Sequence, residues 1–251
     1  MNWFTPTCPV DADTKVWLEN AFNWLTEELG AEVLRGVDVV LPIEEYFPDP
    51  FDGSRSSLRR MVDRVCEYMD VDPKLVEVRY YENEDSARFH PLALDGSATA
   101  HPLGTYRMRP DGKYVVSLDV SQARNPEMMV ATISHELGHI ILLGEGRLDP
   151  EHEDHEPMTD LLTVFYGLGI FSANTTIVFE QWTNSQYQGW QVGGGGYLTE
   201  EMFGYALALF AHARGETQPA WASYLSINVR AYFKRGMKYI AKTGDTAVPR
   251  Q

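Results

Sequence analysis

Two histidines and a glutamate lie within five residues of one another in the middle of the chain, in the segment His135-Glu136-Leu137-Gly138-His139. The surrounding stretch, residues 126–143, has helical periodicity, and residues four apart lie on one face of a helix. His135 and His139 can therefore direct their imidazole nitrogens at a single metal ion, with Glu136 beside it. Neutral imidazoles suit Zn²⁺, and a neighbouring carboxylate can take a proton from a water molecule that the ion activates. The spacing predicts a zinc site in which Glu136 is the general base.

A catalytic zinc site needs a third protein ligand and keeps one position open for water or substrate. An acidic segment follows the motif, and Glu156 and Asp160 lie four residues apart at the start of the next predicted helix. Glu156 can bind the metal, and Asp160 can accept the free ring N–H of a ligand histidine and so fix its tautomer. The third ligand stays open at this point, with three alternatives to Glu156: Glu145, His155 and Asp160.

The HExxH motif at residues 135–139, followed by Glu-Pro-Met-Thr-Asp at residues 156–160, resembles the HExxH plus ExxxD pattern of gluzincins. These are the thermolysin-type and aminopeptidase-type zinc metallopeptidases. The resemblance implies hydrolysis of peptide bonds, with Glu136 as general base and Asp160 as the residue that orients a ligand histidine. It also implies one Zn²⁺ per chain, held by three ligands: His135, His139 and Glu156.

Peptide hydrolysis places negative charge on the carbonyl oxygen, so a hydrogen-bond donor near that oxygen accelerates the reaction. The sequence contains no family motif for such a donor. By residue type alone, three side chains are candidates, although each type is more often structural: Tyr197, Tyr205 and His212.

Composition narrows the classes of partner. The 251 residues include 36 acidic and 21 basic side chains, a formal net charge of −15, which lacks the basic footprint of a nucleic-acid binder. Cys8 and Cys66 are far apart and form no CxxC pair, so neither a disulfide framework nor a thiolate zinc site is indicated. We expect no secretory signal, because residues 1–11 contain neither a basic run nor an apolar core, and no membrane span, because the apolar stretches are shorter than a bilayer requires. We expect a cytoplasmic protein with a peptide or protein substrate, no nucleic-acid or membrane partner, and an oligomeric state that the sequence leaves open.

Periodicity predicts an α+β fold of zincin type, with a small mixed β-sheet, the HExxH helix at its base and a mostly helical C-terminal half. The strand at residues 114–120 is expected to form a sheet edge to which an extended peptide could add. Helices are predicted at residues 11–29, after Ser54, and at 126–143, 157–171, 199–214 and 219–242. Further strands are predicted at 37–43 and 75–81. Residues 86–111 are expected to form a hairpin or a long surface connection, and residues 182–196 a loop.

The best internal boundary lies near Gly144. It separates residues 1–144, an α+β half that ends in the HExxH helix, from residues 145–251, a helical half that supplies the third metal ligand. Two other hypotheses stay open. One is a catalytically inactive zincin-like protein that binds metal or recognises a partner, and the other is a structural or interaction protein in which HExxH is coincidental.

Overall fold

The computed structural model describes residues 6–82, 104–109, 111–183 and 198–251, and it describes side chains there except at 104–107 and 177–183. The described chain is mixed α+β and mostly helical, as predicted. Tyr197 lies outside the described residues, as do most of the predicted hairpin or surface connection at 86–111 and most of the predicted loop at 182–196. The described part of the first segment contains a strand, Gly104–Met108. No helix among the described residues is both long and apolar enough to cross a membrane.

The elements follow one another from an N-terminal pair of helices to a C-terminal one. The helices are α1 (Ala12–Leu29), α2 (Ala31–Gly36), α3 (Arg55–Tyr68), α4 (Pro126–His139), α5 (His155–Phe165), α6 (Gly169–Thr183), α7 (Glu200–Ala213) and α8 (Ile227–Thr243). The strands are β1 (Val76–Tyr81), β2 (Gly104–Met108) and β3 (Tyr114–Asp119). A short 3₁₀ turn, Ala220–Tyr224, precedes α8 where the sequence predicted one continuous helix.

The chain divides into two compact units. The helical unit comprises the described residues of Met1–Leu41, Glu151–Ile177 and Gln188–Gln251, and the sheet unit those of Pro42–Pro150 and Val178–Tyr187. The predicted domain boundary near Gly144 stays a prediction.

The sheet unit contains a three-stranded mixed sheet in the order β1-β3-β2 within the described residues. β1 runs parallel to β3, with Val76 opposite Tyr114, and β2 runs antiparallel to β3, with Gly104 opposite Leu118. The predicted edge position of residues 114–120 is therefore wrong, because β3 uses its backbone groups on both sides. The adjacent residues Val115 and Val116 are both buried, which is typical of a strand covered on both faces.

Helix α4 packs against α3, β2 and β3 in the same unit. Its first turn is capped by Asn125, whose side chain accepts the Met128 N–H, and Pro126 stands at a position where no N–H is needed. Every residue from Met128 to His139 is buried, so the helix is covered on all its faces. The sequence-predicted helix is confirmed, and it holds the HExxH motif inside the protein.

The apolar run at residues 37–43 forms no strand, so that prediction is wrong. The guanidinium of Arg214 donates from Nη1 to two backbone carbonyl oxygens, those of Leu34 at 2.8 Å and Val37 at 2.7 Å. The N–H of Val40 donates to the carbonyl oxygen of Gly167 at 3.0 Å. These bonds occupy backbone groups that a sheet ladder would need, while Val40 still buries its side chain.

The predicted helix at residues 157–171 is in fact two helices, α5 and α6. The break falls at Gly167, whose φ of 77° lies in the left-handed region that favours glycine. A Cβ at this position would lie 2.1 Å from the carbonyl oxygen of Asp38, so the close approach also requires glycine. A single glycine thus ends α5 shortly after the residues of chemical interest.

The helical unit is built on close helix packing. α7 lies along α8, and α1 packs against both α5 and α7. Gly204 of α7 allows the close contact with α8, because a Cβ there would lie 2.4 Å from the Cβ of Tyr232. The result is a buried α7, in which every residue from Phe203 to Ala211 is buried.

Candidate metal centre

The two motif histidines lie in the last turns of α4. Their ring centroids are 4.8 Å apart and the ring planes are nearly perpendicular, at 88°. His135, Glu136 and His139 are 7%, 1% and 2% exposed. The four-residue spacing has therefore placed both imidazoles on one side of the helix, as the sequence predicted, and both are buried.

A π-helical turn, Ile140–Gly144, continues α4 directly after His139. In this turn the N–H of Glu145 donates to the carbonyl oxygen of Ile140 at 3.0 Å. Single π-helical turns of this kind occur often at functional sites, because the wider turn changes the direction of the following backbone. Here the turn separates the HExxH helix from the acidic segment.

Glu156 lies in the first turn of α5 and is 5% exposed. Its carboxylate and the imidazoles of His135 and His139 offer ligand atoms that all lie within 4.8 Å of one another. Sequence reasoning selected these three residues as the metal ligands, and the structure brings the three together as one buried group.

The donor set fits a divalent metal ion. Two imidazoles and one carboxylate are a known ligand set for catalytic zinc, and they leave a fourth position open. With metal–ligand distances of about 2.0–2.2 Å, the ligands of a tetrahedral zinc lie roughly 3.3–3.6 Å apart, so small side-chain adjustments would close the present group around an ion. A divalent cation would also offset the cost in free energy of burying the Glu156 carboxylate. The group could hold a metal ion, and its assignment to zinc stays a proposal.

Two of the alternative third ligands do not belong to this group. Glu145 is exposed, and its Oε2 pairs with Nη2 of Arg147 at 3.0 Å. His155 directs Nδ1 towards Oε1 of Glu156 at 3.4 Å, so it contacts the predicted ligand.

Asp160 follows Glu156 by one turn of α5 and is also buried. Its Oδ2 accepts the backbone N–H of Leu198 at 2.9 Å. The predicted hydrogen bond between Asp160 and a ligand histidine stays a prediction, whereas the bond to Leu198 had no signal in the sequence.

The described candidates for a transition-state donor have partners within the helical unit. The hydroxyl of Tyr205 donates to Oε1 of Glu19 at 2.6 Å, and burial together with this bond raises the pKa of Tyr205. Burial lowers the pKa of His212, with a further contribution from the positive charge of Arg250. Tyr197, the third candidate, lies outside the described residues. A catalytic role for these three residues stays a prediction.

Sequence reasoning did not select Tyr81, the last residue of β1, which pairs in register with Asp119 of β3. Burial raises the pKa of Tyr81, and the negative charges of Asp119 and Glu136 add to that effect. The phenol therefore stays protonated at neutral pH and lies within electrostatic range of the predicted base. Strand alternation predicted its position in β1, but no sequence signal links residue 81 to residue 136.

No family model, curated protein or solved structure matches the chain. Membership of the zincins therefore stays a proposal. The chemistry of the centre is supported by the buried group itself, which consists of His135, His139 and Glu156.

Proposed function

We propose that the protein is a zinc-dependent hydrolase with a zincin-like fold that cleaves peptide bonds. The observation that carries this proposal is the buried group in which two HExxH imidazoles and the Glu156 carboxylate converge within 4.8 Å. Glu136, the motif residue between the two histidines, is buried beside them. A coincidental HExxH sequence gives no reason for a distant carboxylate to join the two histidines.

Each residue has a distinct task in the proposed reaction. His135, His139 and Glu156 would hold the ion, and Asp160 would keep one imidazole in the tautomer that binds metal. A bound zinc ion would supply Lewis-acid polarisation of the peptide carbonyl and a lowered pKa for water. Glu136 would accept a proton from water while the water oxygen attacks the carbonyl carbon. When the carbon–nitrogen bond breaks, Glu136 would give the proton to the leaving amine.

The first test is the metal content of the purified full-length protein, measured by inductively coupled plasma mass spectrometry without chelators or metal-affinity resin. We expect about one zinc per chain, because three protein ligands and an open position hold a single ion. A folded protein that contains no metal and also fails to bind added zinc would overturn the proposal. That result would favour the hypothesis of a structural protein with a coincidental motif.

The second test is the substitution Glu136→Gln. We expect the variant to keep its zinc and its fold, while peptide turnover falls by about 10²–10⁴, the usual contribution of a general base. Glu145→Gln is the matched control, because Glu145 is exposed and lies outside the metal group. Full peptide turnover by a zinc-loaded Glu136→Gln protein would contradict the mechanism. Full zinc occupancy with no cleavage of a broad peptide library by the wild type would favour the non-catalytic metal-binding hypothesis.

A further inference from the structure

The carboxylate of Asp160 fixes the backbone at the start of α7. Asp160 is 5% exposed, and its Oδ2 accepts the N–H of Leu198, which is itself 1% exposed. A buried carboxylate of this kind is stabilised by charge-assisted hydrogen bonds to backbone N–H groups. This bond joins α5 to α7 through a single side chain, inside the helical unit.

Leu198 immediately precedes the N-cap of α7. Thr199 is that cap, and its side chain accepts the N–H of Met202. The bond from Asp160 therefore acts one residue before the helix begins, where a negative charge also interacts favourably with the helix dipole. The position of the first turn of α7 depends on this carboxylate as well as on its own cap.

Asp160 and Glu156 share one face of α5, because they are four residues apart. The helix around Asp160 is held firmly, since Thr163 Oγ1 donates to the Asp160 carbonyl oxygen at 2.7 Å and lies 2.9 Å from Ser172 Oγ of α6. An ion that immobilises Glu156 would thus also restrain the adjacent turn of α5, which presents the Asp160 carboxylate to the Leu198 N–H.

We propose that Asp160 is a positioning residue that couples metal binding at Glu156 to the order of the first turn of α7. This inference rests on the proposed metal centre. By linkage, a metal that stabilises the start of α7 is itself bound more tightly when that turn is formed.

The test is hydrogen–deuterium exchange of the full-length protein with zinc bound and after removal of zinc. In the wild type we expect zinc to slow amide exchange at Leu198–Phe203 by about fivefold or more, within the usual range of coupling between sites. The first turn of α8, which begins at Ile227, is the internal reference and should exchange at the same rate in both states.

Three variants separate coupling from simple loosening of α7. In Asp160→Ala, amide exchange at Leu198–Phe203 should be equally fast without zinc and at saturating zinc. Zinc affinity should fall by about 10–100-fold. Asp160→Asn keeps an oxygen that can accept the Leu198 N–H, so it should restore the zinc-dependent slowing. Thr199→Ala removes the cap but leaves Asp160. Amide exchange at Leu198–Phe203 should therefore be faster than in the wild type and still be slowed by zinc.

The same slowing by zinc in Asp160→Ala as in the wild type would overturn the coupling and leave the metal centre intact. If the alanine variant does not fold, the exchange measurement on the wild type still tests the coupling. Bound zinc that does not slow amide exchange at Leu198–Phe203 would also overturn it. A wild-type protein that binds no zinc would overturn the proposed metal centre itself.

Discussion

Glu156 is a carboxylate in the interior of the protein, and its burial has a cost in free energy that its surroundings must offset. It lies beside His155, and its carboxylate lies within 4.8 Å of the ligand atoms of two imidazoles, in an arrangement suited to a divalent cation. Glu145 has the same side chain in the same acidic region, yet it is exposed and paired with Arg147. At the scale of single residues, burial and contacts therefore distinguish Glu156, a candidate metal ligand, from Glu145, a solvent-exposed charge.

Substitution of these two glutamates tests the assignment of the third ligand. We expect Glu156→Ala to lower zinc affinity by at least about tenfold, because it removes one of three protein ligands, and Glu145→Ala to leave the affinity unchanged. Competition with a chromogenic chelator measures both values. Loss of zinc in Glu145→Ala together with retention in Glu156→Ala would identify Glu145 as the ligand.

Tyr205 provides a second residue-scale test, in this case of stability. Its hydroxyl donates to buried Glu19, so Tyr205→Phe should lower the free energy of unfolding by about 1–3 kcal/mol. Tyr232→Phe is the matched control, because that hydroxyl bonds to Glu201 in a partly exposed position, and we expect it to cost under about 1 kcal/mol. Urea unfolding curves measure both values, and an equal cost for the two variants would contradict a structural role for the buried pair.

At the scale of elements, the positions of the functional residues depend on where helices end. α4 passes into a π-helical turn directly after His139, and α5 ends at Phe165, before the left-handed Gly167. The turn at Gly167 also brings its carbonyl oxygen to the N–H of Val40. The ends of α4 and α5 therefore limit how the metal-binding side chains are presented.

Gly167 and Gly215 form a matched pair of glycines for a test of how α5 ends. Both have positive φ, 77° and 71°, but a Cβ at Gly167 would meet the carbonyl oxygen of Asp38, whereas a Cβ at Gly215 would meet open space. We expect Gly215→Ala to cost about 1 kcal/mol from backbone strain, and Gly167→Ala about 2–4 kcal/mol because the steric clash adds to the strain. Thermal and urea unfolding would check the difference, and equal costs would show that the Asp38 contact is not restrictive.

At the scale of the whole molecule, ionisable side chains determine how the free energy of unfolding changes as the pH falls. The chain has a net charge of −15, and its helical unit contains His212, whose pKa is lowered first by burial and then by Arg250. A lowered pKa means that the unfolded state binds the proton more readily than the folded state. The stabilising effect of neutral His212 is therefore present above the ordinary pKa of 6.5 and is lost as the pH falls below it.

Substitution of His212 tests this linkage. Between about pH 7.5 and about pH 5.5, His212→Gln should lose less stability than the wild type, because the variant has no proton to bind at that position. His152→Gln is the control, since His152 is exposed. The measurement is urea unfolding of the metal-free proteins at both pH values, and identical losses for wild type and His212→Gln would contradict the prediction.

Local signals account for the features that the sequence predicted correctly. Ser54 caps α3, the helix that the sequence predicted to begin after this residue, because a side-chain oxygen reaches N–H groups only two or three residues away. The two HExxH histidines share a helix face through the same short-range geometry. In contrast, the strand predicted at residues 37–43 is absent because the distant Arg214 binds that backbone.

The sequence by itself determined the helix that carries HExxH and the chemistry of its donor atoms, since periodicity and spacing act over a few turns. It left the third ligand open, and the structure places Glu156 with the two histidines. Tertiary structure alone decided that β3 is central and that Tyr205 binds Glu19. It also decided that Asp160 accepts a hydrogen bond from the Leu198 N–H and that the charge of Glu136 contributes to the raised pKa of Tyr81. Each of these depends on partners far apart along the chain, and folding selects such partners by burial and hydrogen-bond satisfaction, which short-range patterns do not encode.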